Sequence, residues 1–183
     1  MNVLVESVAE RIAGSTWRSY GWLVLVVAAL GVLADQISKI WALRVLPDDG
    51  TVAGGLGPIR LRLLRNPGAA FSMGEGTTWI FTIVAVVVVL GVIYYVLRRP
   101  IRSPWFALLL GLIAAGAVGN LIDRLFQPPG FGVGHVIDFL DYGGFFVGNV
   151  ADIWVVVGAI GLAIFLWSRG DPEKSEKGEM HGG

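Results

Sequence analysis

Two short runs in this chain share the spacing Gly-Asn-x-x-Asp: "GNLID" from Gly119 to Asp123 and "GNVAD" from Gly148 to Asp152. In each, an amide and a carboxylate stand three residues apart, so on a helix they share a face. Asp35 and Lys39, four residues apart, share a face in the same way. Between the two runs lie Asp138 and Asp141, within "HVIDFLDY". Carboxylates gathered in a partly dry site cannot all ionise freely, and a pair that shares a proton becomes one acid and one base. Such a pair can activate water against a peptide carbonyl without metal or covalent nucleophile. Other chemistries lack parts. The chain has no cysteine, its histidines are only His135 and His181, and its serines have no triad context. Neither a metal nor a cofactor is expected.

The elements that must position these residues are membrane helices. Of 183 residues, 55% are hydrophobic, and the mean hydropathy is +0.69. Four runs approach the ~20 apolar residues that a membrane helix needs. They begin near Trp22, at Trp79, at Trp105 and at Gly148. The first carries Asp35 and Lys39 in its second half, and it continues as a span where a signal peptide would end in a cleavage site. A net charge of zero argues against nucleic acid as a partner.

Arginine and lysine placement orients the spans. Arg11, Arg18, Arg98, Arg99, Arg102, Arg169, Lys174 and Lys177 fall on one side, against Arg44, Arg60, Arg62, Arg65 and Arg124 on the other. Both termini are therefore expected in the cytoplasm, with Trp22, Trp105 and Trp167 at the inner interface and Trp41 and Trp79 at the outer one. The loop from about 47 to 76 falls outside. Its "PIRLRLL" alternates with period two, a strand signal, and "TVAGGLG" can supply a turn and a partner strand. Residues 1–19 form a cytoplasmic segment, with Val5, Val8 and Ile12 at helical spacing, and 169–183 a charged, disordered tail. The fold class is thus an all-α integral membrane protein, with four transmembrane helices and a small extracytoplasmic β-sheet.

In that topology both Gly-Asn-x-x-Asp units lie at the same outer depth, and Asp35 and Lys39 approach it. Ionisable groups in a membrane are costly and mark function by default. Each also has a plainer role open to it. Asp123 can pair with Arg124, Asp152 can cap its own helix, and Asp35 with Lys39 can be a packing salt bridge. Asp141 and Asn66 can serve turns, His135 can hydrogen-bond within its loop, and Arg60 and Arg62 can be solvated or meet headgroups. What these separate roles explain poorly is the shared layer. A small proton- or ion-coupled transporter is the alternative use of such carboxylates, but it needs polar residues through the full membrane depth.

Five blocks, "DQISK", "NPGAAF", "GNLIDR", "HVIDF" and "NVADI", occur in order over residues 20–168. Together they resemble the bacterial lipoprotein signal peptidases, signal peptidase II. The resemblance implies a multi-pass peptidase of the bacterial cytoplasmic membrane, spanning 20–168, with its active site near the outer leaflet. It implies an aspartyl endopeptidase whose catalytic pair is Asp138 and Asp152. It implies site-shaping or substrate-binding roles for Asn66, Gly68, Asn120, Asp123, Arg124 and Asn149, and a structural role for Asp35 and Lys39. The implied substrate is a prolipoprotein bearing a diacylglyceryl-modified cysteine, cut just before that cysteine. The partners expected are these substrates and membrane lipids, and the chain is expected to be monomeric. Two departures stand out: Gly148, where the family more often has Phe, and a longer loop over 125–137.

Overall fold

A computed structural model of the chain describes residues 20–68 and 77–169. The segment expected at 1–19, all but Arg169 of the tail expected at 169–183, and the part of the "NPGAAF" block beyond Gly68 lie outside the described residues. Among the described residues are four helices and a four-stranded sheet. In chain order they are α1 (Gly21–Val45), β1 (Gly54–Leu56), β2 (Ile59–Asn66), α2 (Thr78–Arg98), α3 (Pro104–Phe126), β3 (Val136–Tyr142), β4 (Val147–Gly148) and α4 (Val150–Ser168). All four helices are long and apolar enough to cross a membrane. At 1.5 Å per residue the shortest, 19 residues, covers about 28 Å, close to a bilayer core.

The ends of the helices are written in the sequence. Ser103 accepts the N–H of Phe106 at 3.3 Å, and Pro104 sits where its missing N–H costs nothing, so α3 begins there. Asn149 starts α4 through a capping box with Asp152. α3 is the centre of the bundle and packs against α1, α2 and α4. Small residues let the backbones approach. A Cβ on Gly31 would lie 2.5 Å from that of Ala115, and one on Gly111 would lie 2.7 Å from Val27.

The sheet is antiparallel with order β1-β2-β3-β4, and an irregularity in the β2–β3 register falls between Leu61 and Leu64. It sits on one end of the bundle. Leu63, Ile137 and Phe139 bury their side chains against Ala42 and Leu46 at the end of α1. The expected pairing of the "TVAGGLG" and "PIRLRLL" runs is present, with Gly55 opposite Arg60. The sheet is larger than expected, however. "VIDFLDY", between the two Gly-Asn-x-x-Asp units, is a further strand, β3, one of the two inner strands of the sheet. Asp138 lies on this strand opposite Leu64 of β2, while β4 pairs further along, at Leu140 and Asp141.

Candidate active site

Asp138 and Asp152 come from different elements, β3 and the first turn of α4, and meet at the sheet-bearing end of the bundle. Asp138 is 1% exposed. Its Oδ1 accepts from Asn149 Nδ2 at 2.6 Å and its Oδ2 from Asn66 Nδ2 at 2.8 Å. Asp152 Oδ1 accepts from Asn120 Nδ2 at 2.9 Å, and its Oδ2 accepts the N–H of Asn149 at 3.1 Å. Asn149 Nδ2 also donates to Asn120 Oδ1 at 3.1 Å. Two asparagines, one from each Gly-Asn-x-x-Asp unit, thus stitch the two carboxylates into one network.

The two acids have different surroundings. Burial, then the neighbouring Asp152 carboxylate, pushes Asp138 up to about 7, against the pull of Asn66, Asn149 and the Lys39 charge. Asp152 sits in the first turn of α4 and caps it, accepting the N–H of Asn149.

A cavity of about 340 Å³ opens on this pair. Its polar end is lined by Asn66, Asn120, Arg124, Asp138 and Asp152, and its apolar walls by α2 (Phe81, Val84, Ala85, Val88), α3 (Ile113, Ala117) and α4 (Val155). Phe81 to Val88 and Ile113 to Asn120 are each seven steps along a helix, so the slot reaches about 10 Å along the helices from the carboxylates. Arg124 lies on the wall, its guanidinium 5.3 Å from the centre of the Phe81 ring, and it donates to Pro67 O at 3.5 Å. Gly68 donates its N–H to Asn66 Oδ1 at 2.9 Å, in a turn that aims Asn66 at Asp138. A Cβ on Gly68 would lie 2.7 Å from Phe81, so only glycine fits between that turn and α2.

Every candidate site residue falls at this end of the bundle, in or beside the network. The separate roles weighed for them fared unevenly. Asp35 and Lys39 form the expected ion pair at 2.8 Å. Asp152 both caps its helix and faces the cavity. Asn66 serves both a turn and Asp138. Asp123 does not take Arg124 as its ion-pair partner: it pairs with Lys39 at 2.8 Å, while Arg124 turns to Phe81 and the cavity. Arg60 is bound to the fully buried Asp141 at 3.0 Å, where a headgroup contact had been considered. That bond and the Gly144 N–H at 2.6 Å engage Asp141 in a turn and leave it out of the site.

Gln36 and Phe81 were missed as site-building residues. Gln36 stood in plain view inside "DQISK", beside the acid it supports. Phe81 had no signal, because an aromatic in an uncharged span reads as lipid-facing. At Gly148, a Cβ would lie 2.9 Å from Asp152 Oδ2 and 3.5 Å from the Phe146 ring. Glycine there leaves room beside the carboxylate.

Comparisons with known proteins give the chain's family and fold. The family model described as signal peptidase (SPase) II matches residues 27–168. A lipoprotein signal peptidase of Rhodococcus jostii (strain RHA1) is 46% identical over 157 residues, covering 85% of this chain and 78% of the relative. One from Mycolicibacterium smegmatis (strain ATCC 700084 / mc(2)155) is 48% identical over 138 residues, or 75% of this chain; the chain spans 58% of that relative's length. A solved structure of a bacterial membrane enzyme superposes with a TM-score of 0.68 at 25% identity, covering 79% of this chain and 87% of the other.

Proposed function

We propose that this chain, which belongs to the signal peptidase II family, removes signal peptides from prolipoproteins by water attack directed by Asp138 and Asp152. The observation that carries the reading is the pair itself: two carboxylates from separate elements, joined by Asn120 and Asn149, at the polar end of an apolar slot. Asp152, the anion, takes a proton from water as its oxygen attacks the scissile carbonyl carbon. Asp138, protonated, donates to the carbonyl oxygen, giving a gem-diol held by both acids. Asp152 then returns its proton to the leaving amine as the C–N bond breaks, and one gem-diol proton goes back to Asp138.

The cavity also supports a substrate carrying lipid. Its apolar walls run alongside the carboxylates into the bundle, so acyl chains can stay in hydrocarbon while the peptide bond meets water. The substrate class proposed is a diacylglyceryl-modified prolipoprotein, cut just before the modified cysteine. Residues 20–168 act as the peptidase domain of a monomer in the bacterial cytoplasmic membrane. Both termini are cytoplasmic, and the sheet lies on the outer surface. The test is to incubate purified protein with the same prolipoprotein with and without the lipid, and to locate the cut by mass spectrometry. Cleavage before the cysteine only in the lipidated substrate is expected. Equal cleavage of both, or a cut elsewhere, refutes the substrate assignment.

A further inference from the structure

Beneath the dyad lies a group of buried charges that the proposed chemistry does not use. Lys39 is 2% exposed, and Asp35 and Asp123 are no more exposed than that. Lys39 Nζ lies 2.8 Å from Asp35 Oδ2 and 2.8 Å from Asp123 Oδ2, and donates to Asn120 Oδ1 at 3.0 Å. Those three partners use all three of its protons. Asp35 Oδ1 accepts the N–H of Ala151 at 2.9 Å, and Asp123 Oδ2 accepts the N–H of Ile137 at 3.1 Å. Gln36 Nε2 closes the group on Asp35, Asp123 and the carbonyl of Gly119, at 3.1, 3.3 and 3.2 Å.

The two peptide groups held in this way have particular places in the chain. Ala151 immediately precedes Asp152, and Ile137 immediately precedes Asp138. A salt bridge that only fastened α1 to α3 would have no reason to end on them. Well-packed apolar residues would fasten two helices at least as well, without the cost of removing three charges from water.

We propose that Asp35, Lys39 and Asp123 form a positioning device for the dyad: each carboxylate holds the backbone just ahead of one dyad aspartate, and the shared lysine sets their spacing and projects positive charge through Asn120. This inference rests on the two-aspartate reading above. The elements around the dyad carry Lys39 and Asp35 (α1), Asp123 and Arg124 (α3), Asp141 and Tyr142 (β3), and Arg60, Arg62 and Arg65 on the paired strand β2, of which Arg60 is bound to Asp141 and Arg65 to Asp48. The ionisable residues of α2 (Tyr94, Tyr95, Arg98) lie in its last two turns, away from the site. Lys39 and Arg124 are the cations whose charge acts on the dyad, and Lys39 donates to Asn120, the partner of Asp152.

Position and charge can be tested separately with purified full-length protein and a lipidated prolipoprotein. Wild type and Asp138→Asn serve as controls: cleavage by Asp138→Asn would count against the dyad reading, whatever the other variants do. Asp123→Glu and Asp35→Glu keep the charge but move the carboxylate by one methylene. They are expected to lose kcat by about a hundredfold, with KM within about threefold and the pH profile in place. Lys39→Met removes the charge. It is expected to lose kcat and to move the alkaline limb of the pH profile, set by Asp138, upward by on the order of half a pH unit, and Lys39→Arg to return the profile to its place. Folded variants with wild-type kcat, losses confined to KM, or an unmoved profile in Lys39→Met would overturn the proposal. So would failure of all four variants to fold, because the triad would then act only in assembly.

Discussion

At the scale of residues, the account turns on the contrast between Asp138 and Asp152. The Asp138 carboxyl, held up to about 7 by burial and by its neighbour's charge, is protonated below that value and releases its proton above it. Asp152 must be ionised to take a proton from water. Cleavage is therefore expected to fall as pH rises through about 7, as the Asp138 proton is lost. A pH–kcat profile measures this, and activity that keeps climbing above neutrality would contradict it. Much of this scale was legible in the chain. The repeated Gly-Asn-x-x-Asp spacing marked Asn120, Asn149 and Asp152 unaided. It also nominated Asp123 by symmetry, and there the family blocks rather than the repeat pointed to Asp138. The true partner of Asp123 was hidden, because Lys39 lies 84 residues away in sequence and Arg124 lies next door.

At the scale of elements, close approach is what brings the acids together. Gly119, in the last part of α3, faces Asp35, and a Cβ there would lie 2.5 Å from Asp35 Oδ2 and 3.2 Å from the Ala151 Cβ. Gly119→Ala should therefore push α1 and α4 away from α3, costing about 1–3 kcal/mol of stability and most of the activity. A thermal unfolding midpoint with a cleavage assay checks this; a variant with wild-type values for both would show the contact to be slack. The four spans were plain from hydropathy, since their composition leaves no other home. β3 was not, and the reason is physical. A strand reads as period two only when one face meets water, and Val136 through Phe139 are buried on both faces between the bundle and the sheet's own network. Without alternation, "VIDFLDY" carries no strand signal. β2, more open to solvent, kept its alternation and was read correctly.

At the scale of the whole molecule, the division of surface is the main feature. The spans expose large apolar side chains along their lengths, including Leu25, Leu30, Val87, Leu90, Ile160 and Ile164, while the buried charges, Asp35, Lys39, Asp123, Arg124, Asp138 and Asp141, collect at one end. Trp22, Trp105 and Trp167 lie exposed at the helix ends opposite the sheet, and Trp41 and Trp79 at the ends beside it, as two interfacial belts would place them. Reporters fused at the C-terminus and inserted between Arg99 and Ser103 should read cytoplasmic, and one at Asp48–Asp49 should read external. The reverse pattern would turn the site to the other face. The most direct test of the central claim is cleavage of a lipidated prolipoprotein by folded Asp138→Asn and Asp152→Asn proteins. Each is expected to lose at least about a thousandfold in kcat, because neither acid can stand in for the other. Wild-type cleavage by either variant would show that the pair is not the catalytic centre.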